Sequence, residues 1–191
     1  MDGKIIIIEG YLASGKSTFA LRLSKAVNIP YLIKDTFKTA LCKSIPIASR
    51  AESLRFSAVT FDAMMYVTER LIEYGCPVII EANFVPLGVK KTDEAGIIKS
   101  MIDKYEYEPL TFKFFGDTHV LYKRFVEREA SPERGQANMM HTELSYEDFD
   151  IYCHNLDAFT VGGEIIPIDT TDIINVDFDS YIEKARMFIN S

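Results

Sequence analysis

A short stretch near the amino terminus constrains this sequence more than any other feature. The run Gly10-Tyr11-Leu12-Ala13-Ser14-Gly15-Lys16-Ser17 satisfies the pattern G-x-x-x-x-G-K-[ST]. It follows the apolar run 5–8, which predicts a buried strand, and it precedes a helical apolar pattern over 16–27. Glycines at these positions let the backbone curl, so that successive N–H groups face inward at the positive end of a helix. This setting predicts a loop that binds the phosphates of a nucleotide.

Two side chains of this loop have expected parts in the chemistry. Lys16 is expected to reach the β- and γ-phosphates and to act in catalysis, and the Ser17 hydroxyl is expected to coordinate Mg²⁺. The predicted nucleotide-binding residues of this segment are Gly10, Ala13, Ser14, Gly15, Lys16, Ser17 and Thr18. ATP and Mg²⁺ are therefore the expected cofactors.

Short apolar runs alternate with helical patterns along the rest of the chain. Strands are expected at 5–8, 31–33, 78–80, 110–115 and 165–168. Helices are expected at 16–27, 50–74, 117–128, 146–158 and 181–189. A further helix is expected to open at Asp35, and another to run from a cap at Thr92 or Asp93 to about 105. This alternation requires crossover connections. It therefore predicts a three-layer α/β fold with a five-stranded parallel sheet, in a single domain over 1–191. Ligands of such sheets bind beyond the carboxyl ends of the strands.

The amino-acid composition limits which binding partners and which cellular compartment we expect for this chain. The formal net charge of −7 argues against a uniformly basic nucleic-acid binder. The acidic surplus, however, lies after residue 141, beyond the phosphate loop, so a local phosphate site is not excluded. The three cysteines are far apart, and no apolar run approaches the length of a membrane span. A cytoplasmic protein without a membrane partner is expected.

Polar residues at the ends of the second and third strands are candidates for acceptor and metal binding. Asp35 is expected to act as a general base on an acceptor hydroxyl, although a plain helix cap would also explain it. Lys38, one turn later, is either an acceptor-binding residue or a solvated lysine. Glu81 is expected to hold the water shell of Mg²⁺. Asn83 is expected either to contact the acceptor or simply to turn the chain.

A cationic segment follows the fourth strand. Arg124 and Arg128 are four residues apart, which places them on one face of a helix. Neighbouring glutamates could neutralise them as a solvated face, but we favour a lid over about 128–143 whose arginines close on ATP phosphates and stabilise the transferred charge. Thr170, after the fifth strand, is expected either in an adenine-side loop or in a simple capping turn.

Together these segments resemble a known family. The sequence carries no Asn-Lys-x-Asp motif of a GTPase and no Leu-Ser-Gly-Gly-Gln signature of a transporter ATPase. The phosphate loop, the strand ends 31–35, 78–84 and 168–171, and the Arg124-x-x-x-Arg128 pair resemble the small P-loop kinases. Within these, the sequence is most similar to the group of bacteriophage polynucleotide kinase, zeta toxins and chloramphenicol phosphotransferase.

The resemblance implies a lidded parallel sheet, ATP with Mg²⁺, and transfer of the γ-phosphate to a hydroxyl. By this resemblance Asp35 corresponds to an aspartate base, and Lys38 stands where polynucleotide kinase has an arginine that binds the acceptor phosphate. The favoured hypothesis is a kinase, a phosphotransferase with an alcohol acceptor, that acts on a small molecule. A polynucleotide 5′-hydroxyl kinase and a non-catalytic nucleotide-sensing module are the alternatives.

Overall fold

Five parallel strands form one central sheet. In the computed structural model, which describes residues 3–45, 47, 49–85, 93–129 and 144–191, the strands are β1 (Lys4–Gly10), β2 (Tyr31–Ile33), β3 (Val78–Glu81), β4 (Glu108–Phe115) and β5 (Glu164–Asp169). Their order across the sheet is β2-β3-β1-β4-β5, and each neighbouring pair is parallel. The predicted α/β fold with a five-stranded parallel sheet is confirmed. Strand β1, which leads into the phosphate loop, lies at the centre.

Helices connect the strands and cover the sheet. They are α1 (Lys16–Val27), α2 (Lys34–Cys42), α3 (Arg50–Glu73), α4 (Glu94–Tyr105), α5 (Thr118–Glu129), α6 (Tyr146–Asn155) and α7 (Phe178–Asn190), with 3₁₀ turns at Leu156–Ala158 and Ile173–Asn175. Within the described ranges, none of these helices has the combined length and apolar character that crossing a membrane requires.

Two helix boundaries differ from the sequence-based expectation. The helix expected over 146–158 ends at Asn155, and its last three residues form a 3₁₀ turn. The last helix begins at Phe178 and not at 181, because the Asp177 carboxylate accepts a hydrogen bond from the Ser180 N–H and caps an earlier start. In the expected lid, Arg128 belongs to α5, and residues 130–143 lie outside the described part of the chain.

The four consecutive isoleucines of β1 supply the centre of the core. All four are fully buried. Ile5 and Ile7 face a cluster with residues of α3 and α4, whereas Ile6 and Ile8 face a cluster with residues of α1 and α7. Because both faces of the sheet are covered, β1 needs no polar face, and burial of each isoleucine side chain contributes about 1.5–3 kcal/mol.

A third apolar cluster fixes α5 and α6 against the phosphate loop. Tyr11 of the loop packs with Leu121 and Phe125 of α5 and with Phe149 and Cys153 of α6. The loop is therefore held by its own strand and helix and also by the two helices that flank the 130–143 segment.

Candidate active site

Glycine conformation shapes the loop between β1 and α1. Gly10 has φ +123°, and a Cβ at this position would collide with the Phe114 backbone of β4. Gly15 has φ +89° and occupies the N-cap position of α1, where it has no side chain to cap the helix. The first N–H groups of α1 therefore remain available to an anion, as the sequence pattern predicts.

The Lys16 ammonium lies inside the curl of this loop. It donates hydrogen bonds to the carbonyl oxygens of Gly10 at 3.0 Å and Tyr11 at 2.5 Å. Ser14 closes the same turn, because its hydroxyl donates to the Tyr11 carbonyl at 2.7 Å. Burial lowers the pKa of Lys16, partly offset by the nearby carboxylates, of which Glu81 has the largest effect. An anionic ligand in the loop would favour the charged form of this lysine.

Ser17 and Glu81 meet at the floor of the site. The Ser17 hydroxyl donates to Glu81 Oε2 at 2.8 Å, although the two residues lie on α1 and at the end of β3. Burial raises the pKa of Glu81 to about 7, while the neighbouring Lys16 opposes this shift. A hydroxyl and a carboxylate are both oxygen ligands of the type that Mg²⁺ prefers, so this pair fits a magnesium ion beside the phosphates.

These groups line a cavity of about 240 Å³ at the carboxyl ends of β1 and β3. Asp35 reaches it because β2 pairs with β3, with Ile33 in register with Glu81, and α2 starts directly after β2. Ile33 occupies the N-cap position of α2, so Asp35 is not the cap of its helix. The cavity is lined by Leu12, Ala13, Ser14, Gly15, Lys16, Ser17, Thr18, Asp35, Glu81, Ala82, Asn83 and Arg128. Most of the sequence-predicted site residues therefore converge at one place.

Four of the expected site residues do not line the cavity, namely Gly10, Lys38, Arg124 and Thr170. Gly10 contributes only its carbonyl oxygen, which accepts from the Lys16 ammonium. Lys38 is buried, and its ammonium donates to the Ser53 hydroxyl of α3 at 2.7 Å. Arg124 points to the loop after β5, where its guanidinium donates to the carbonyl oxygens of Thr170 at 2.6 Å and Thr171 at 2.7 Å. Thr170 is itself buried and donates through its hydroxyl to the Phe115 carbonyl at 3.0 Å. Arg124 thus stabilises the loop after β5, for which the sequence left an adenine-side loop and a simple capping turn open.

A buried ion pair beside the cavity was not anticipated. Lys34, the first residue of α2, donates to Glu94 Oε1 at 2.6 Å, and the two side chains are 7% and 3% exposed. The other carboxylate oxygen of Glu94 accepts from the Val85 N–H at 3.0 Å. This pair ties the start of α2, which carries Asp35, to the start of α4 and to the segment after β3. Nothing in the local pattern signals a contact between residues so far apart in sequence.

Tyr152 of α6 was also missed. Its phenol lies near the side chain of Asn83 and the carboxylates of Asp35 and Glu94. Burial and these carboxylates raise its pKa, so the phenol stays protonated. A tyrosine in an amphipathic helix gives no sequence signal of such a position. Helix α6 therefore places Tyr152 near two residues that line the cavity, Asp35 and Asn83.

Solved structures of similar shape carry the same architecture. No family model matches the sequence, and no curated protein matches it. A candidate kinase from Chloroflexus aurantiacus superposes with a TM-score of 0.81 at 20% identity, over 98% of this chain and 96% of that one.

Two further solved structures share this fold. A shikimate kinase from Bacteroides thetaiotaomicron superposes with a TM-score of 0.59 at 12% identity, over 98% of this chain and 99% of that one. A sugar kinase from a Janibacter species gives 0.58 at 13% identity, over 98% and 95% of the two chains. At these identities the likeness establishes the fold, and the chemistry has to be argued from the site itself.

Proposed function

We propose that this chain is an ATP-dependent kinase that transfers the γ-phosphate to a hydroxyl of a small-molecule acceptor. The observation that carries the proposal is the convergence of Lys16, the Ser17–Glu81 pair and Asp35 on one cavity at the carboxyl edge of the sheet. Phosphoryl transfer is catalysed mainly by positioning and by stabilisation of charge, and this cavity supplies groups for both. The kinases with the same fold make this chemistry the natural expectation.

The nucleotide side of the cavity is the phosphate loop. Its N–H groups and the Lys16 ammonium would hold the β- and γ-phosphates, and Arg128 of α5 would neutralise charge on the transferred group. Arg124 would act at the other end of the nucleotide by bracing the loop at Thr170. Ser17 and Glu81 would hold Mg²⁺, Glu81 through the water shell of the ion. When bound, that ion supplies charge neutralisation on the phosphate oxygens.

Asp35 provides the base for the acceptor side. The acceptor hydroxyl oxygen forms a bond to the γ-phosphorus while its proton moves to the Asp35 carboxylate. The bond between the γ-phosphorus and the β,γ-bridging oxygen breaks, and its electron pair leaves with ADP. Asn83 would hold the acceptor in place. Lys38 could contact the acceptor only by leaving Ser53, so we assign it a position in the wall behind Asp35.

The decisive experiment is incubation of the protein with γ-labelled ATP and a cellular metabolite extract, followed by mass identification of the labelled product. Lys16→Ala should abolish labelling and leave the circular dichroism spectrum intact, because it removes the cation from the phosphates. Lys43→Ala, which removes an exposed lysine at the end of α2, is the matched control and should label normally. Unchanged labelling by Lys16→Ala would refute the proposal.

A second variant separates transfer from nucleotide binding. Asp35→Asn keeps the size of the side chain but removes the base, so transfer should fall by about 10²–10⁴-fold while ATP affinity is retained. Asp62→Asn, on the exposed face of α3, is the matched control. Binding of ATP by the wild-type protein without transfer to any acceptor fraction would instead favour the nucleotide-sensing module.

A further inference from the structure

We infer that the acceptor half of the cavity is built for a polyol without an anionic group, such as a sugar or an amine-bearing sugar. This inference rests on the proposed function, since it names the class of acceptor for the same site. It is supported by three observations. These are a buried amide oxygen that receives no hydrogen bond from the described residues, lysines that are already engaged in other contacts, and the negative charge of Asp35.

The first observation is the amide of Asn83. Its Oδ1 atom is buried and has no hydrogen-bond partner among the described residues, although Asn83 lines the cavity. A buried carbonyl oxygen without a donor is costly, so a ligand that donates a hydrogen bond at this point is favoured. Hydroxyl and amine groups can donate, whereas carboxylates and phosphates at neutral pH only accept.

The second observation concerns the cations on this side of the cavity. Lys34 adjoins Asp35 in the chain, but its charge is balanced by Glu94 at 2.6 Å within a buried pair. Lys38 is turned towards α3 and donates to Ser53. Neither of these two described lysines could bind an anionic acceptor without leaving a formed contact, whereas a neutral acceptor needs no such rearrangement.

The third observation is the balance of charge once ATP is bound. Of the charged residues that the structure describes around the cavity, we assign Lys16 and Arg128 to the phosphates and Glu81 to Mg²⁺, so that Asp35 supplies the charge on the acceptor side. A carboxylate or phosphate on the acceptor would lie between Asp35 and the triphosphate and would be repelled by both. A hydroxyl-rich acceptor instead places one hydroxyl on Asp35 and a second on Asn83 Oδ1. The two side chains thus recognise a pair of hydroxyls, or a hydroxyl and an amine.

The test separates acceptors by charge before the reaction. A metabolite extract is divided by ion exchange at pH 7 into non-anionic and anionic fractions, and each is incubated with γ-labelled ATP and the wild-type protein or Lys16→Ala. Label that depends on Lys16 should appear in the non-anionic fraction. Lys16-dependent label confined to the anionic fraction, or to an added 5′-hydroxyl oligonucleotide, would overturn the inference but leave the kinase proposal standing. Absence of Lys16-dependent label in every fraction would refute the kinase proposal and this inference with it.

A variant at Asn83 tests the recognition directly. The metabolite fraction that contains the acceptor is first supplied at a limiting concentration. Under this condition the Asn83→Ala variant should transfer label to the acceptor about tenfold more slowly than the wild-type protein does. A high concentration of the same fraction should restore the rate. The KM for ATP should not change, because the phosphate loop is untouched. Asn190→Ala, at an exposed position of α7, is the matched control. An unchanged rate at limiting acceptor, or a rise in the KM for ATP alone, would show that Asn83 does not hold the acceptor.

Discussion

Substitution of Glu9 should reveal a proton that the folded protein retains at neutral pH. Glu9 lies on β1 immediately before the phosphate loop, is fully buried, and has no hydrogen-bond partner for either carboxyl oxygen among the described residues. The Lys113 ammonium lies 3.8 Å from Oε1, too far for a hydrogen bond. Burial raises the pKa of Glu9 from 4.5 to about 8, in spite of the opposing charges of Lys113 and Lys16.

The sign and size of the effect follow from this shift. Between pH 4.5 and 8 the folded protein holds a proton that the unfolded chain releases, so the free energy of unfolding falls as the pH rises. The loss is about 1.4 kcal/mol per pH unit inside this window, which amounts to about 3.5 kcal/mol between pH 5 and pH 8. Glu9→Gln mimics the protonated acid and removes this term. The free energy of unfolding of Glu9→Gln should therefore rise relative to that of the wild-type protein by about 3.5 kcal/mol between pH 5 and pH 8.

Urea unfolding followed by circular dichroism at pH 5, 6, 7 and 8 measures the difference directly. Wild type and Glu9→Gln share every other titrating group, so the pH dependence of their difference isolates Glu9. Glu164→Gln, at an exposed position of β5, is the matched control and should give a difference that does not vary with pH. A constant offset between Glu9→Gln and wild type over this range would refute the reasoning, because it would mean that the buried carboxyl ionises as it does in the unfolded chain.

Three further outcomes test the site and the core. Ser17→Ala should raise the Mg²⁺ concentration needed for half-maximal transfer by about tenfold, because a metal ligand is lost; a magnesium titration of the labelling rate measures this. Glu94→Gln should cost about 3–5 kcal/mol of stability in urea unfolding, since it leaves the Lys34 ammonium buried without its counter-charge; the paired variant Lys34→Met/Glu94→Leu should recover most of the loss. Phe84→Ala should cost about 3–5 kcal/mol in the same assay, because the ring is fully buried and stacked on Phe159; an effect below 1 kcal/mol would contradict this packing.

Local sequence patterns were sufficient to predict the architecture. The five apolar runs became the five strands, and the alternation with helices was enough to predict a parallel sheet, because a crossover helix is the short way to join parallel strands. The phosphate loop could be predicted equally well, since its conformation depends on glycines at fixed spacing within a few residues. Even the meeting of Asp35 and Glu81 could be expected, because both follow strands whose carboxyl ends share one edge of the sheet.

Contacts between distant segments could not be read in this way. Arg124 and Arg128 share a helix and looked equivalent in sequence, yet Arg128 lines the cavity and Arg124 braces the loop after β5. The direction of a long side chain depends on which partners the packed helices bring within reach, and no local pattern encodes that.

The sequence by itself determined the phosphate loop, the order of strands and helices, and the residues placed at the carboxyl edge of the sheet. Tertiary structure alone decided that Lys34 is neutralised by Glu94, that Tyr152 lies near Asn83, and that Glu9 is buried without a hydrogen-bond partner among the described residues. The physical reason is the range of the interactions. Backbone conformation and apolar periodicity act over a few residues, whereas burial, ion pairing and the charge of the cavity arise only when segments far apart in the chain pack together.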